Sequence, residues 1–422
     1  MATPFHVQSS TETLRDGFPY FPHHESVSAL WEQKWRGPCA AEVYPFEDGR
    51  LADFEPIFAE LIAVSGDDPA FLSRQDDYAR PFLPVGDRLA DEARAAAEQG
   101  ETDRARELFL RAAAVYRTAR FPVVRSPLGQ EAWEKGKAAY EQGGRLMESP
   151  VVPVAIPFKH ADFAAGDYDT DIPAYLRVPH GPRPDAGWPV VLFICGLDGY
   201  RTDQTPRVQA LIDHGFATLA FEIPGTGDCP AAPSDPASAD RLMSSILDWV
   251  ADSALESGFD PAAILAWGVS TGGYYAQRVA HTHADRLSAA VAQGGGGHRM
   301  FDAEWIGAQN QMEYPFDLAE ALAYKFGYRD ADPAAAVAAY TADAHRFSLV
   351  DSGVLDSRAC RLLVINGTED SIFPIEDSLL AATRGDATHT DLVVRGGLAH
   401  MGEPGAGPIA FAWLDQALAS RS

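Results

Sequence analysis

The hydrophobic rhythm of the chain changes near residue 150. Before that point apolar positions recur every three to four residues along alanine-rich stretches: Ala90 to Ala97, Asp103 to Ala119 and Pro127 to Met147. That spacing lays an apolar stripe along a helix of 3.6 residues per turn. Leu108, Ala112, Val115 and Tyr116 share one face of the second helix, and Trp133, Ala138 and Tyr140 share one more loosely on the third. Asp103 ahead of Arg106, and Pro127 at the head of its run, are helix-start signals. No strand–turn alternation is read in residues 1–150, and no repeat period links the helices. The block is expected to be an N-terminal helical cap domain.

From Val151 the pattern becomes short apolar runs separated by turn residues. The runs are Val151 to Phe158, Ile172 to Val178, Trp188 to Cys195, Phe216 to Phe221, Ile264 to Trp267, Ser288 to Ala292, Arg361 to Ile365 and Asp391 to Arg395. Strands alternating with helical stretches predict an α/β domain with a mostly parallel sheet, here over residues 151–422. The series is interrupted at about 298–346, where Asp317 to Phe326 and Ala334 to Thr341 read as helices. That insertion is expected to be a lid.

Candidate chemistry sits at the strand ends. Gly268-Val269-Ser270-Thr271-Gly272 is a G-x-S-x-G motif fed by the Ile264 run and followed by small residues able to start a helix. The motif needs that context, because the serine hydroxyl must stand exposed on a strained strand-to-helix turn. In an α/β-hydrolase fold the acid and then the histidine follow the serine along the chain. Asp370 lies in the loop after the Arg361 strand, and His400 lies in the loop after the Asp391 strand. Glu369 is the neighbouring alternative acid, whereas His298 and the other histidines follow no late strand. The expected triad is Ser270 as nucleophile, His400 as general base and Asp370 as the group that orients the imidazole. An oxyanion hole needs two N–H donors. Thr271 supplies one, and Gly196-Leu197-Asp198-Gly199 after the Trp188 strand supplies the other, from Leu197 or from Asp198.

Composition narrows the partners. The 422 residues carry a net charge of −26, which repels phosphate backbones and excludes nucleic acid as the expected ligand. Cys39, Cys195, Cys229 and Cys360 show no C-x-x-C spacing and read as reduced, mostly buried thiols. No run of about 18 apolar residues is present, and the first residues lack a basic start with an apolar core. A soluble, intracellular and cytoplasmic protein is therefore expected, with vesicle association as the alternative.

Other clusters carry less. Gly294 to Gly297 has no following Lys-Ser/Thr, so it reads as a permissive turn and not a phosphate loop. His281 and His283 stand two apart, which on a helix points them to different faces. His23-His24-Glu25 has no matching cluster elsewhere. Glu313, among aromatic residues of the lid, is a candidate pocket carboxylate or a solvent-facing cap acid.

Several motifs together resemble a known family. Gly196-Leu-Asp-Gly-Tyr-Arg201, Gly268-Val-Ser-Thr-Gly-Gly-Tyr-Tyr275, Ala280-His-Thr-His283, Asn310-Gln-Met-Glu-Tyr-Pro315 and Ile365-Asn-Gly-Thr-Glu-Asp-Ser-Ile-Phe-Pro374 look like those of fungal polyketide-shortening hydrolases of naphthalene-pigment (melanin) biosynthesis. More broadly the chain resembles the FrsA-like esterases and the bacterial 2,6-dihydroxypseudooxynicotine hydrolases, which share a helical N-terminal cap. The resemblance implies hydrolysis of a carbon–carbon bond next to a ketone, removing an acyl end from an aromatic polyketide such as a heptaketide naphthopyrone. It maps the family's triad onto Ser270, Asp370 and His400, and a substrate-side glutamate onto Glu313, with Tyr314 beside it. The reaction needs no metal or organic cofactor, and a homodimer is left open. A carboxylesterase would use the same triad; a non-catalytic binding protein of this fold would have lost part of it.

Overall fold

The computed structural model describes residues 13–66 and 68–419. The expectation about the extreme N-terminus, residues 1–12, lies outside them. Among the described residues there are ten strands: β1 (Thr13–Arg15), β2 (Phe18–Tyr20), β3 (Val152–Ile156), β4 (Ile172–Arg177), β5 (Trp188–Ile194), β6 (Ala217–Phe221), β7 (Phe259–Val269), β8 (Ala289–Gln293), β9 (Arg361–Gly367) and β10 (Thr390–Arg395). Strands β3 to β10 form one eight-stranded sheet in the order β10-β9-β8-β7-β5-β6-β4-β3. Only β3 against β4 and β4 against β6 pair antiparallel; the other neighbours run parallel. Val190 to Ile194, Ala217 to Phe221 and Ala289 to Gln293 are buried throughout. Such unbroken apolar runs suit parallel strands covered by helices on both faces.

Helices dominate the chain ahead of β3: Leu51–Ser65, Phe82–Glu98, Thr102–Ala119 and Pro127–Arg145 are the long ones. Leu108, Ala112, Val115 and Tyr116 are all buried along one stripe, as their spacing requires. On Pro127–Arg145 the buried positions include Trp133, Gly136, Ala139 and Tyr140, whereas Ala138 faces out. Position 138 is five residues beyond 133, too far round a 3.6-residue turn to share its face. A second correction concerns residues 1–150, which are not wholly helical: β1 and β2 make a short antiparallel hairpin. Three-residue strands are too brief to leave a readable alternation.

Between β8 and β9 the chain leaves the sheet and forms three α-helices, Ala303–Ala308, Leu318–Lys325 and Pro333–Asp343. This insertion packs on the N-terminal helices through rings. Phe316 lies 5.4 Å from Trp35, 5.4 Å from Tyr78 and 5.3 Å from Phe121, centroid to centroid. The N-terminal segment grips it as well: Phe21 N–H donates to the Gln311 carbonyl at 2.9 Å, and the His24 Nε2 lies 2.7 Å from the Met312 carbonyl.

Candidate active site

Strand β7 ends at Val269 and a helix begins at Thr271, so Ser270 occupies the turn alone. Its backbone has φ 54° and ψ −127°, a conformation costly for a residue with a Cβ. The crossing is tight enough to demand the flanking glycines. A Cβ on Gly268 would stand 2.0 Å from the Gly272 carbonyl oxygen, and one on Gly272 would stand 2.3 Å from that of Ile194. Ser270 N–H donates to Gln293 at the end of β8 at 2.8 Å, and Gly273 N–H donates to the Ser270 carbonyl at 2.7 Å. These bonds hold the strained residue in place.

His400 Nε2 lies 2.8 Å from Ser270 Oγ, and its Nδ1 lies 2.8 Å from Asp370 Oδ2. The three side chains selected from sequence therefore form one hydrogen-bonded chain. Asp370 is buried, with its Oδ1 accepting from the N–H groups of Ile372 (2.8 Å) and Phe373 (3.0 Å). Its Oδ2 accepts from Asn366 Nδ2 at 2.8 Å as well as from His400. A carboxylate saturated in this way cannot rotate, and it fixes the imidazole with Nδ1–H toward the acid and the Nε2 lone pair toward the serine. Glu369 makes no such contact; its N–H donates to the Leu398 carbonyl at 2.9 Å.

Burial works against charge on the His400 imidazole, but the Asp370 carboxylate outweighs it, helped by Glu313 and Asp198. The net is a pKa above the ordinary histidine value. The loop bearing His400 is placed by Gln293, whose Nε2 donates to the Met401 carbonyl (3.3 Å) and to Glu403 Oε1 (2.9 Å).

Gly196 to Gly199 closes on itself through Gly196 N–H to the Gly199 carbonyl at 3.2 Å. The loop lies against the nucleophile, since a Cβ on Gly196 would be 3.5 Å from that of Ser270. Among the described residues, no turn or loop hydrogen bond engages the N–H of Leu197 or of Thr271. The Asp198 side chain shares this loop. That carboxylate is buried, and burial pushes its pKa up; its Oδ2 accepts from the Tyr314 hydroxyl at 2.7 Å.

Glu313 and Tyr314 arrive from the insertion. Glu313 N–H donates to Ser371 Oγ at 3.2 Å, one residue past Asp370. Its Oε1 stands 3.6 Å from Lys34 Nζ, while Oε2 is buried without a hydrogen-bond partner. Tyr314 is buried, with its ring 6.0 Å from that of Phe121 in a near-parallel stack. Its hydroxyl is committed to Asp198, so it supports the site from behind.

Other residues singled out from sequence lie elsewhere. His23 Nε2 is 3.3 Å from the Tyr314 carbonyl, and burial, with the charge of His24, drives its pKa down to about 3. His281 Nδ1 reaches the Ser357 carbonyl and His283 Nε2 reaches Ser244 Oγ, so the two point apart. The four cysteines are free, and all but Cys229 are buried. Among the described residues no helix is long and apolar enough to cross a membrane. Sequence reasoning missed Asn366, Gln293 and also Arg120, whose Nη1 donates to the Asp198 carbonyl at 3.0 Å. Asn366 had a signal, in that a polar residue ends the apolar β9 run and reaches Asp370 four residues later.

A profile of the FrsA-like esterases matches residues 88–395. The chain belongs to the FrsA-like esterase family. The chain is 28% identical to the alpha/beta hydrolase ucsC of Acremonium sp over 249 residues, 56% of this chain and 49% of that one. It is 26% identical to esterase FrsA of Salmonella paratyphi B over 296 residues, covering 68% and 65%. The chain thus spans from about half to under two thirds of the length of these curated relatives. Among solved structures, 2,6-dihydroxy-pseudo-oxynicotine hydrolase superposes with a TM-score of 0.66 at 22% identity, over 82% of this chain and 90% of that one. AbyA5 superposes with a TM-score of 0.59 at 20% identity, over 88% and 95%. Both neighbours share the α/β-hydrolase fold with this FrsA-like chain.

Proposed function

We infer that this FrsA-like chain is a serine hydrolase that shortens a hydroxylated aromatic polyketide by cleaving the carbon–carbon bond beside a side-chain ketone. Ser270, His400 and Asp370 act as the triad, and the N–H groups of Thr271 and Leu197 as the oxyanion hole. The observation that carries the reading is Glu313, whose buried Oε2 lacks a partner beside His400. A buried carboxylate oxygen left unpaired is costly. A phenol or enol O–H of the substrate would pair it; a simple alkyl ester has no such donor. The Phe373 ring, 5.5 Å from the His400 ring, suits a flat aromatic skeleton.

Ser270 Oγ attacks the ketone carbon while His400 Nε2 takes its proton, and the oxyanion receives the two N–H donors. Collapse breaks the carbon–carbon bond. The departing electron pair spreads into the adjacent carbonyl or phenol-rich ring, and His400 returns the proton to carbon. Water, deprotonated by His400, then attacks the acyl-serine, and Ser270 leaves with the proton as a carboxylic acid is released. A glutamate that binds the hydroxyl next to the cleaved bond orients the ring that must accept the charge.

The second reading, a carboxylesterase acting on an ester or lactone of such a compound, is favoured by the chain's membership of an esterase family. The two separate by product. Incubation with a naphthopyrone heptaketide in ¹⁸O-water should give a shortened polyhydroxynaphthalene and a carboxylic acid carrying the label. Rapid turnover of p-nitrophenyl esters with the polyketide left untouched would establish the esterase instead.

A further inference from the structure

The insertion between β8 and β9 begins and ends in the same place. His298 and Asp302 stand at its start; His345 and Asp351 stand where it returns toward the sheet. The geometry points to a zinc site made by His298, His345 and Asp351 that clasps the two feet of this insertion. Their ligand atoms all lie within 4.8 Å of one another. Asp351 Oδ2 is 2.7 Å from His345 Nδ1 and 3.8 Å from His298 Nδ1, and the two rings meet edge-on at 5.2 Å. Ligands bound to zinc at about 2.0–2.2 Å in a tetrahedron stand roughly 3.3–3.5 Å apart. Small rotations of these partly exposed side chains cover the difference.

The surrounding hydrogen bonds prepare the right nitrogens. Ser348 Oγ accepts from the N–H groups of Val350 (3.2 Å) and Asp351 (3.0 Å). Its own O–H is left to donate to His298 Nδ1 at 2.7 Å, which keeps that nitrogen unprotonated; an ion would take the same lone pair as the hydroxyl turns aside. His345 Nε2 lies 3.0 Å from Asp302 Oδ1. With Nε2–H given to that carboxylate, His345 Nδ1 can face Asp351 Oδ2 favourably only through a cation, either a proton or a metal ion. A carboxylate behind the far nitrogen of a ligating imidazole is the usual support of such a ligand. Two imidazoles and one carboxylate select a borderline ion such as Zn²⁺ over Mg²⁺ or Ca²⁺. Water would fill the fourth position.

The consequence is mechanical. Leu349 N–H donates to the Gly297 carbonyl at 2.8 Å, and Tyr274 on the helix after Ser270 donates to the Phe347 carbonyl at 2.7 Å. An ion tying 298 to 345 and 351 would lock both feet beside that helix, and it is separate from the triad.

Calorimetric titration of the metal-stripped full chain with Zn²⁺, and with Co²⁺ monitored by visible absorption, tests the assignment. The native chain should bind one equivalent, give an intense low-symmetry cobalt spectrum and unfold at higher temperature with Zn²⁺. His345→Ala should weaken binding at least about 100-fold and abolish the thermal shift. Asp302→Asn should weaken it about 10–100-fold. His400→Ala should leave the site intact. Absence of stoichiometric binding, binding unchanged in His345→Ala, or binding lost in His400→Ala would each overturn the proposal.

Discussion

Arg120 donates from Nη1 to the main-chain carbonyl of Asp198 at 3.0 Å, so a residue of the N-terminal helices holds the loop that faces the nucleophile. Arg120 caps the helix Thr102–Ala119, is buried, pairs with Asp203 and lies with its guanidinium 3.7 Å from the Tyr200 ring centre. Asp203 in turn accepts from Tyr200 N–H at 2.8 Å. The Gly196 to Gly199 loop, the proposed oxyanion loop, is thereby held partly from outside the sheet. Arg120→Leu leaves Asp203 buried without its partner, and should cost about 3–5 kcal/mol of stability. In the protein that remains folded, kcat should fall more than KM rises. Denaturant titration and steady-state kinetics on the same preparation would check both.

Ser270→Ala should lower kcat by several orders of magnitude, on the order of 10⁴–10⁶. The fold should survive, because alanine removes one oxygen from a half-buried position. Circular dichroism would verify folding, and residual activity within about tenfold of the native rate would refute the assignment.

Asp370→Asn is expected to slow turnover roughly 10⁴-fold. The two N–H donors from Ile372 and Phe373 hold the Oδ1 position as an acceptor, so the new amide NH₂ must occupy the Oδ2 position facing His400. It would then donate to Nδ1 and force the proton onto Nε2, where the serine needs a lone pair. Glu369→Gln, with no contact to His400, should be nearly silent. Paired kinetics on the two variants would expose a reversed order.

The raised His400 pKa makes a signed prediction. The imidazole must be neutral to act as base, so kcat/KM should climb with pH along a limb lying above the ordinary value of about 6.5. Because Glu313 is one of the charges that raises it, Glu313→Gln should move the limb to lower pH. Stability runs the other way. A folded-state pKa above the unfolded one contributes stability that is fully present below the unfolded pKa and is lost as pH rises through the folded pKa. Comparing Tm against pH for the native chain and His400→Gln would reveal that loss.

Removal of the helices ahead of Val151 takes Phe121 away and should expose the rings of Tyr314 and Phe316, which otherwise pack against it across the seam. The shortened chain should aggregate or lose activity on large substrates. A soluble, fully active product in size-exclusion and kinetic assays would show that these helices are dispensable.

Sequence alone determined the sheet strands, the elbow and the order of Ser270, Asp370 and His400, since each rests on local physics. Buried parallel strands are unbroken apolar runs, a strained turn needs glycines at fixed offsets, and polar residues at strand ends stand out against those runs. It could not determine what comes together from afar. Arg120 reads as an ordinary helix-end cation, and its task exists only because the helix packs on the Gly196 loop. His23 and His24 read as a stray pair, and only the fold brings them under the Met312 and Tyr314 carbonyls. Glu313 was visible as a carboxylate among rings, but whether it faced solvent or His400 depended on how the insertion closes. His298 and Asp351 lie far apart in sequence and share no motif. Such contacts are set by tertiary packing between elements, and periodicity records only which face of an element is buried.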